Sequence, residues 1–504
     1  MNLSVALPIL IPLLAGAVSL VFWRSHFAQR WIGVFGTGAL LWAAIVLLLQ
    51  TWEEGIQVMH MGSWVGPFGI VLVSDLLGAI MVLLTGITGF ATALYSLVAI
   101  PREHEKFGYY PLLHLLLAGV SGAFLTGDIF NLYVWFEVML VASFALIILG
   151  GERAQMEGAI KYVTLNLFSS ALFLSAIGLL YGITGTLNMA DVAVKLGEVS
   201  GEEQGLVSVI SILFLVAFGI KAAAFPLFFW LPASYHTPQV AVSAIFAGLL
   251  TKVGVYVLFR FYTLIFAHDT ELTHTILLWM GMLTMLTGVL GAAAQFEFRR
   301  ILSFHIISQI GYMILGLAIF TPLAIVGGVF YIMHHIIVKA NLFLVSGLVY
   351  RLRGTYELKD LGGLYRSHPW LGLLFLIPAL SLAGLPPLSG FFAKFVIIRA
   401  GIEAEQWLAV AVSLLVGLLT LYSMIKIWNE VFWKAAPAER TEEAPAYTHQ
   451  GNSLLMYYLP IAALALMTVL IGVFAQPIYL LAEGSAAQLL APAGYIEAVL
   501  GVQP

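Results

Sequence analysis

Apolar stretches of about twenty residues or more, with few charges, recur along the whole chain, separated by short segments that hold most of the charges. About 20 apolar residues in helical geometry cross the hydrocarbon core of a bilayer, so each stretch reads as a transmembrane helix. The first runs from Leu3 to Phe22 and has no basic segment before it, which argues against a cleaved signal peptide. The others fall near 31–50, 70–99, 109–127, 129–150, 160–183, 205–230, 239–263, 273–296, 301–320, 322–349, 369–398, 406–433 and 453–481, about 14 transmembrane helices in all. The predicted fold class is an all-α polytopic membrane protein.

Composition supports this reading. Of 504 residues, 61% are apolar and 10% charged, against about 25% charged in a soluble domain. A net charge of −4 offers no basic surface for nucleic acid, and the absence of cysteine excludes disulfides and Cys-ligated clusters in this chain. No phosphate-binding Gly-x-x-x-x-Gly-Lys-Ser/Thr motif occurs. No metal site and no cofactor is expected. When the connections alternate sides, 15 of the 22 basic residues, from Arg24 to Arg440, fall on one side. The opposite side takes only Lys195, Arg260 and Arg399. The positive-inside rule then puts both termini on the extracytoplasmic side of the plasma membrane. The acidic segments Glu202–Glu203 and Glu442–Glu443 read as solvated loops.

The other four basic residues, Lys221, Lys252, Lys339 and Lys394, lie inside predicted spans, with Glu137 inside the fifth. On this reading every in-span base is lysine and none is arginine. Five idle charges at the bilayer centre would cost roughly 12–18 kcal/mol at about 2.5–3.5 each. An intramembrane ionisable residue therefore points to an ion path, and lysine, unlike arginine, can release its proton when buried. The competing reading is structural, a Glu137–Lys salt bridge, but one acid cannot neutralise four lysines. His334 and His335 precede Lys339, and His335 shares its helix face at i,i+4. His114 and His305 read more readily as bonded structural groups.

Two spans carry breaks. Pro226 and Pro232 follow Lys221, with His236 just beyond; Pro386 and Pro387 precede Lys394. Proline removes a helix hydrogen bond, and irregular backbone at membrane depth is tolerated where it is buried in protein or lines a wet cavity. The broken spans are the seventh and the twelfth, so they run in opposite directions. This predicts two inverted five-helix repeats: 1–105 as three N-terminal helices, 106–265 as the first repeat, 266–436 as the second, and 437–504 as a C-terminal helix with a short tail.

Three runs carry a resemblance: Gly127–Glu137, Lys221–Pro232 and Gly384–Lys394. Together they resemble the proton-conducting antiporter-like subunits shared by respiratory complex I, membrane-bound hydrogenases and Mrp-type multisubunit Na⁺/H⁺ antiporters, over nearly the whole chain. The start Leu7–Leu13 and the Gly-Asp-Ile-Phe-Asn run are most similar to the D-type branch of the Mrp antiporters. The resemblance implies a Glu–Lys pair at Glu137 and Lys221, a connecting Lys252, a central relay of His334, His335 and Lys339, and an exit-side Lys394. The expected function is a proton-translocating, non-enzymatic subunit of a sodium/proton antiporter. Its expected partners are other hydrophobic subunits, membrane lipids, protons and Na⁺. The alternatives are a proton-pumping arm of a redox complex and a structural scaffold.

Overall fold

The structure, a computed structural model, describes residues 2–200, 202–267, 270–436 and 454–501. The expected loop with Arg440, Glu442 and Glu443 lies outside them. In chain order the principal helices are α1 (Leu7–Val21), α2 (His26–Glu54), α3 (Leu76–Ala99), α4 (Tyr109–Leu125), α5 (Ile129–Ile147), α6 (Arg153–Thr184), α7 (Met189–Glu198) and α8 (Glu202–Ala222). Next come α9 (Trp230–Ser234), α10 (Val240–Ile265), α11 (Thr270–Ala294), α12 (Phe298–Ile319), α13 (Pro322–Arg353), α14 (Pro369–Ala383) and α15 (Ser389–Glu403). The chain ends with α16 (Trp407–Trp433), α17 (Leu455–Val473), α18 (Ala475–Leu490) and α19 (Pro492–Leu500). A hairpin of β1 (Gln57–His60) and β2 (Val71–Ser74) joins α2 to α3.

Eleven of the described helices are long and apolar enough to cross a membrane by length and composition. Three shorter apolar helices, α1, α4 and α14, stand where further spans are expected. Polar residues set the starts: Ser25, Asp75, Asp128 and Thr321 each accept a hydrogen bond from a backbone N–H of the first turn. Glycines in the left-handed conformation, Gly185 and Gly354, end α6 and α13.

The layering decides where polar chemistry can sit. In α10 the most apolar window is 100% buried, and in α12 and α13 it is 94% buried, whereas in α2, α6, α16 and α17 it is 39–44%. Outer helices show apolar residues to the surroundings, such as Trp42, Leu167 and Leu418. A polar group on α10, α12 or α13 is therefore surrounded by protein.

Three expectations need correction. The span expected over 453–481 ends at Val473, and what reads as a short tail forms α18 and α19. The face Ala482, Ser485, Ala486 and Leu489 is buried at helical spacing, with α18 packed on α3 and α13; its small, mildly polar residues hide the pattern in the sequence. Second, Arg260 is not a connecting-loop residue. It lies within α10, 5% exposed, because Asp75 supplies a counter-charge. Not every in-span base is lysine. Third, Lys426 lies within α16, where its Nζ donates to Ala293 O (2.8 Å) and Gln295 O (2.7 Å) at the C-terminal end of α11. Those carbonyls lack helical partners.

Candidate functional site

The first half of the site is built where α8 stops. Pro226 leaves no amide to continue the helix, and α8 ends at Ala222, with Ala223 in the left-handed region (φ +59°). The loosened backbone is satisfied inside the protein: Trp230 Nε1 donates to Ile220 O (3.0 Å), and Phe225 N–H donates to Thr284 Oγ1 (2.9 Å). Lys221, in the last turn of α8, donates to Asn166 O (3.2 Å) and Ser170 Oγ (3.1 Å) of α6. Its Nζ lies 5.4 Å from the centre of the Phe136 ring. A cavity of about 20 Å³, bounded by Phe136, Asn166, Lys221 and Trp230, is room for one water. Glu137 faces this region from α5. Its Oε1 is buried without a hydrogen-bond partner, and it makes no ion pair with Lys221 within 4 Å. Its charge does reach Lys221 electrostatically.

The centre lies on α10, α12 and α13. A π-helical turn, Phe246–Leu250, precedes Lys252, whose Nζ donates to Ala247 O (2.5 Å) of that turn. Lys339 Nζ donates to Leu302 O (3.1 Å) of α12. Both lysines and His334, His335 and His305 are fully buried. His335 is within electrostatic reach of Lys252, Lys339, His334 and His305. Both ring nitrogens of His335 and of His305 lack partners. His305 thus joins the centre instead of acting as a bonded structural group, while His114, on α4, packs beside Gly36 of α2.

The second half is built at the break between α14 and α15. Gly384, with φ +94°, ends α14, and the segment holding Pro386 and Pro387 leads into α15. His334 Nδ1 is 2.8 Å from Ser389 Oγ, which is 3.0 Å from Ser381 Oγ. Ser381 Oγ accepts from Gly390 N–H (3.1 Å), so hydroxyls bridge the break. Lys394 Nζ donates to Ala383 O (3.0 Å), the last residue of α14, and lies 4.9 Å from the Tyr312 ring. Tyr312 stacks on Tyr331, whose hydroxyl donates to Gln309. Ser381, Ser389 and Gln309 carry no sequence signal beyond being polar in an apolar span.

The structure thus holds three groups of buried polar side chains, together called the row: Glu137 with Lys221, then Lys252, His335, Lys339, His305 and His334, and Lys394 at the second break. Pro232 lies in α9 and His236 just after it, off the row. Arg300 Nε donates to His236 Nε2 (3.3 Å). Burial first, and then Arg300 and Arg299, push the His236 imidazole down to about 4. A larger cavity, about 510 Å³, opens where α3 ends and α10 begins. It is lined by Arg102, His104, Gln239, Arg299, Arg351 and Tyr95, whose hydroxyl donates to Leu344 O (3.0 Å) of α13. Among the described residues no group of three or more His, Asp or Glu side chains could hold a metal ion.

Residues 126–420 match the family described as NADH:quinone oxidoreductase/Mrp antiporter, TM. The chain belongs to this family. The match contains every residue of the row and both helix breaks; Asp75, α17, α18 and α19 lie outside it. Among its NADH:quinone oxidoreductase/Mrp antiporter relatives, the D-type component of the Na(+)/H(+) antiporter of Alkalihalophilus pseudofirmus is 50% identical over 500 residues, covering 99% of this chain and 100% of the relative. In the Mrp complex of Dietzia sp. DQ12-45-1b, a solved chain superposes with a TM-score of 0.90 at 33% identity, over 99% of this chain and 100% of that one. A chain of the archaeal membrane-bound sulfane sulfur reductase gives 0.89 at 26% identity, over 98% and 99%.

Proposed function

We propose that this chain is the proton-carrying subunit of a multisubunit Na⁺/H⁺ antiporter in the plasma membrane, with protons moving along the row Glu137–Lys221–Lys252–His335/Lys339–His334–Lys394. One observation supports this reading above the others. Each of the four lysines donates to a backbone carbonyl, and none has a carboxylate within 4 Å among the described residues. A salt bridge would hold a lysine in its charged form. A carbonyl accepts from an ammonium and, more weakly, from a neutral amine, so each lysine still has a partner when its proton leaves. The unpartnered ring nitrogens of His305 and His335 provide acceptors between the lysines, and intervening water completes the path.

The coupling is electrostatic. A proton on Lys221 attracts the Glu137 carboxylate, and moving that proton inward removes the attraction, which ties reloading of the row to transfer along it. Fourteen spans that include two inverted five-helix repeats, with both termini extracytoplasmic, complete the proposed arrangement, and sodium exchange is a property of the assembly with its other hydrophobic subunits and lipids. Glu137→Gln or Lys221→Ala should cut sodium-driven proton exchange at least about tenfold, the factor that about 1.4 kcal/mol of barrier carries, while the complex still assembles. Full exchange in either assembled variant would overturn the row. The likeness to a respiratory membrane complex supports a second reading, a proton-pumping arm of a redox enzyme. Flavin or iron–sulfur absorbance in the purified native assembly would favour it.

A further inference from the structure

Lys252, Tyr256 and Arg260 lie at i, i+4 and i+8 on one face of α10, so a polar stripe leaves the centre of the row toward one end of the molecule. At its tip Arg260 Nη2 donates to Asp75 Oδ2 (2.5 Å) and is 3.4 Å from the Tyr256 hydroxyl. The pair is enclosed on every side. Side-chain exposures are 5% for Arg260 and 3% for Asp75. Asp75 Oδ1 accepts from Gly78 N–H (2.9 Å), and Tyr256 donates to Phe124 O (2.8 Å). The guanidinium lies 5.1 Å from the ring of Tyr495 on α19, and Leu76 N–H donates to Gln488 Oε1 (2.8 Å) on α18. The two C-terminal helices therefore close over this pair.

The opposite end is open. Asp75 starts α3, whose last turns line the 510 Å³ cavity; Arg260 lies near the end of α10, whose first residue, Val240, lines the same cavity. Ion pair and cavity stand about 30 Å apart along α3, at 1.5 Å per residue. The lysines of the row donate to carbonyls; among the described residues Arg260 alone of the fully buried bases pairs with a carboxylate. Arginine does not release its proton in proteins.

We propose that Arg260–Asp75 is a proton seal: a buried pair that cannot exchange protons, placed between the row's central Lys252 and the end opposite the cavity, and held by α18 and α19. The inference rests on the row being a proton path. The seal stops protons on the row from escaping through the closed end without doing transport work.

The test is passive proton leak in vesicles containing the purified complex, measured after an external pH jump without sodium. Arg260→Gln leaves a lone buried carboxyl that can take up and pass a proton, so leak should rise several-fold. Arg260→Lys keeps the pair but makes its base able to release a proton, and should also leak. Asp75→Asn combined with Arg260→Gln removes both titrating groups and should restore a tight membrane. Equal leak in the single and double variants would mean that the pair only packs helices. Wild-type leak in assembled Arg260→Lys and Arg260→Gln would overturn the seal, and if Arg260→Gln fails to assemble, Arg260→Lys alone decides. Sodium-driven exchange of Glu137→Gln, measured in the same vesicles, separates the two ideas: its persistence removes the row whatever the leak shows.

Discussion

At the scale of single residues, the buried bases divide by what they bond. Four lysines use carbonyls, and Arg260 uses Asp75. The four lysines and Glu137 were legible in the sequence because a charge inside an apolar run needs a reason. Their partners were not. Leu302 lies 37 residues from Lys339 and Asp75 lies 185 from Arg260, and no local pattern records a contact made by packing. Arg260 misled for a further reason: near a span end it is indistinguishable from a loop residue. His236 gives a prediction outside the spans. Its folded value of about 4 is below the ordinary 6.5. The unfolded chain then binds the extra proton between these values, so stability rises with pH across that window and is lost as pH falls from about 6.5 toward about 4. Thermal melting of the complex should show a midpoint that drops on acidification from about pH 7.5 to about pH 5, with a shallower drop in His236→Gln. An unchanged pH slope in that variant would assign the effect elsewhere.

At the scale of elements, the breaks after Lys221 and before Lys394 followed from proline chemistry, since Pro226 and the Pro386–Pro387 pair each remove the amide a helix needs. What proline could not tell is how tightly neighbours press on the breaks. A Cβ at Gly254 would lie 2.5 Å from Ala222 N and 2.8 Å from Lys221 C, so α10 touches the broken end of α8 directly. Gly254→Ala should therefore force the two apart and destabilise by about 1–3 kcal/mol, the usual range for overpacking. A lowered melting midpoint together with weakened exchange is the expected result. Ordinary melting would mean that α8 yields more easily than its packing indicates. The helices α18 and α19 were missed because the buried face of α18 is made of alanine, serine and a single leucine, which reads as a mildly polar tail.

At the scale of the whole molecule, the fold class followed from the spacing of apolar runs, and the centre of the proposed row lies on the innermost helices α10, α12 and α13. The layering itself was not legible: α10, α12 and α13 are no more apolar than the outer helices, because lipid and protein interior demand similar side chains. The central claim is that the two halves form one continuous path, and Lys394 tests it most directly because it lies at the far end from Glu137. The measurement is internal pH in vesicles containing the purified assembly after a sodium pulse, wild type against Lys394→Ala. One continuous row predicts at least about a tenfold loss of sodium-driven proton flux in the assembled variant. Wild-type flux would contradict it and confine transport to the half that holds Glu137 and Lys221.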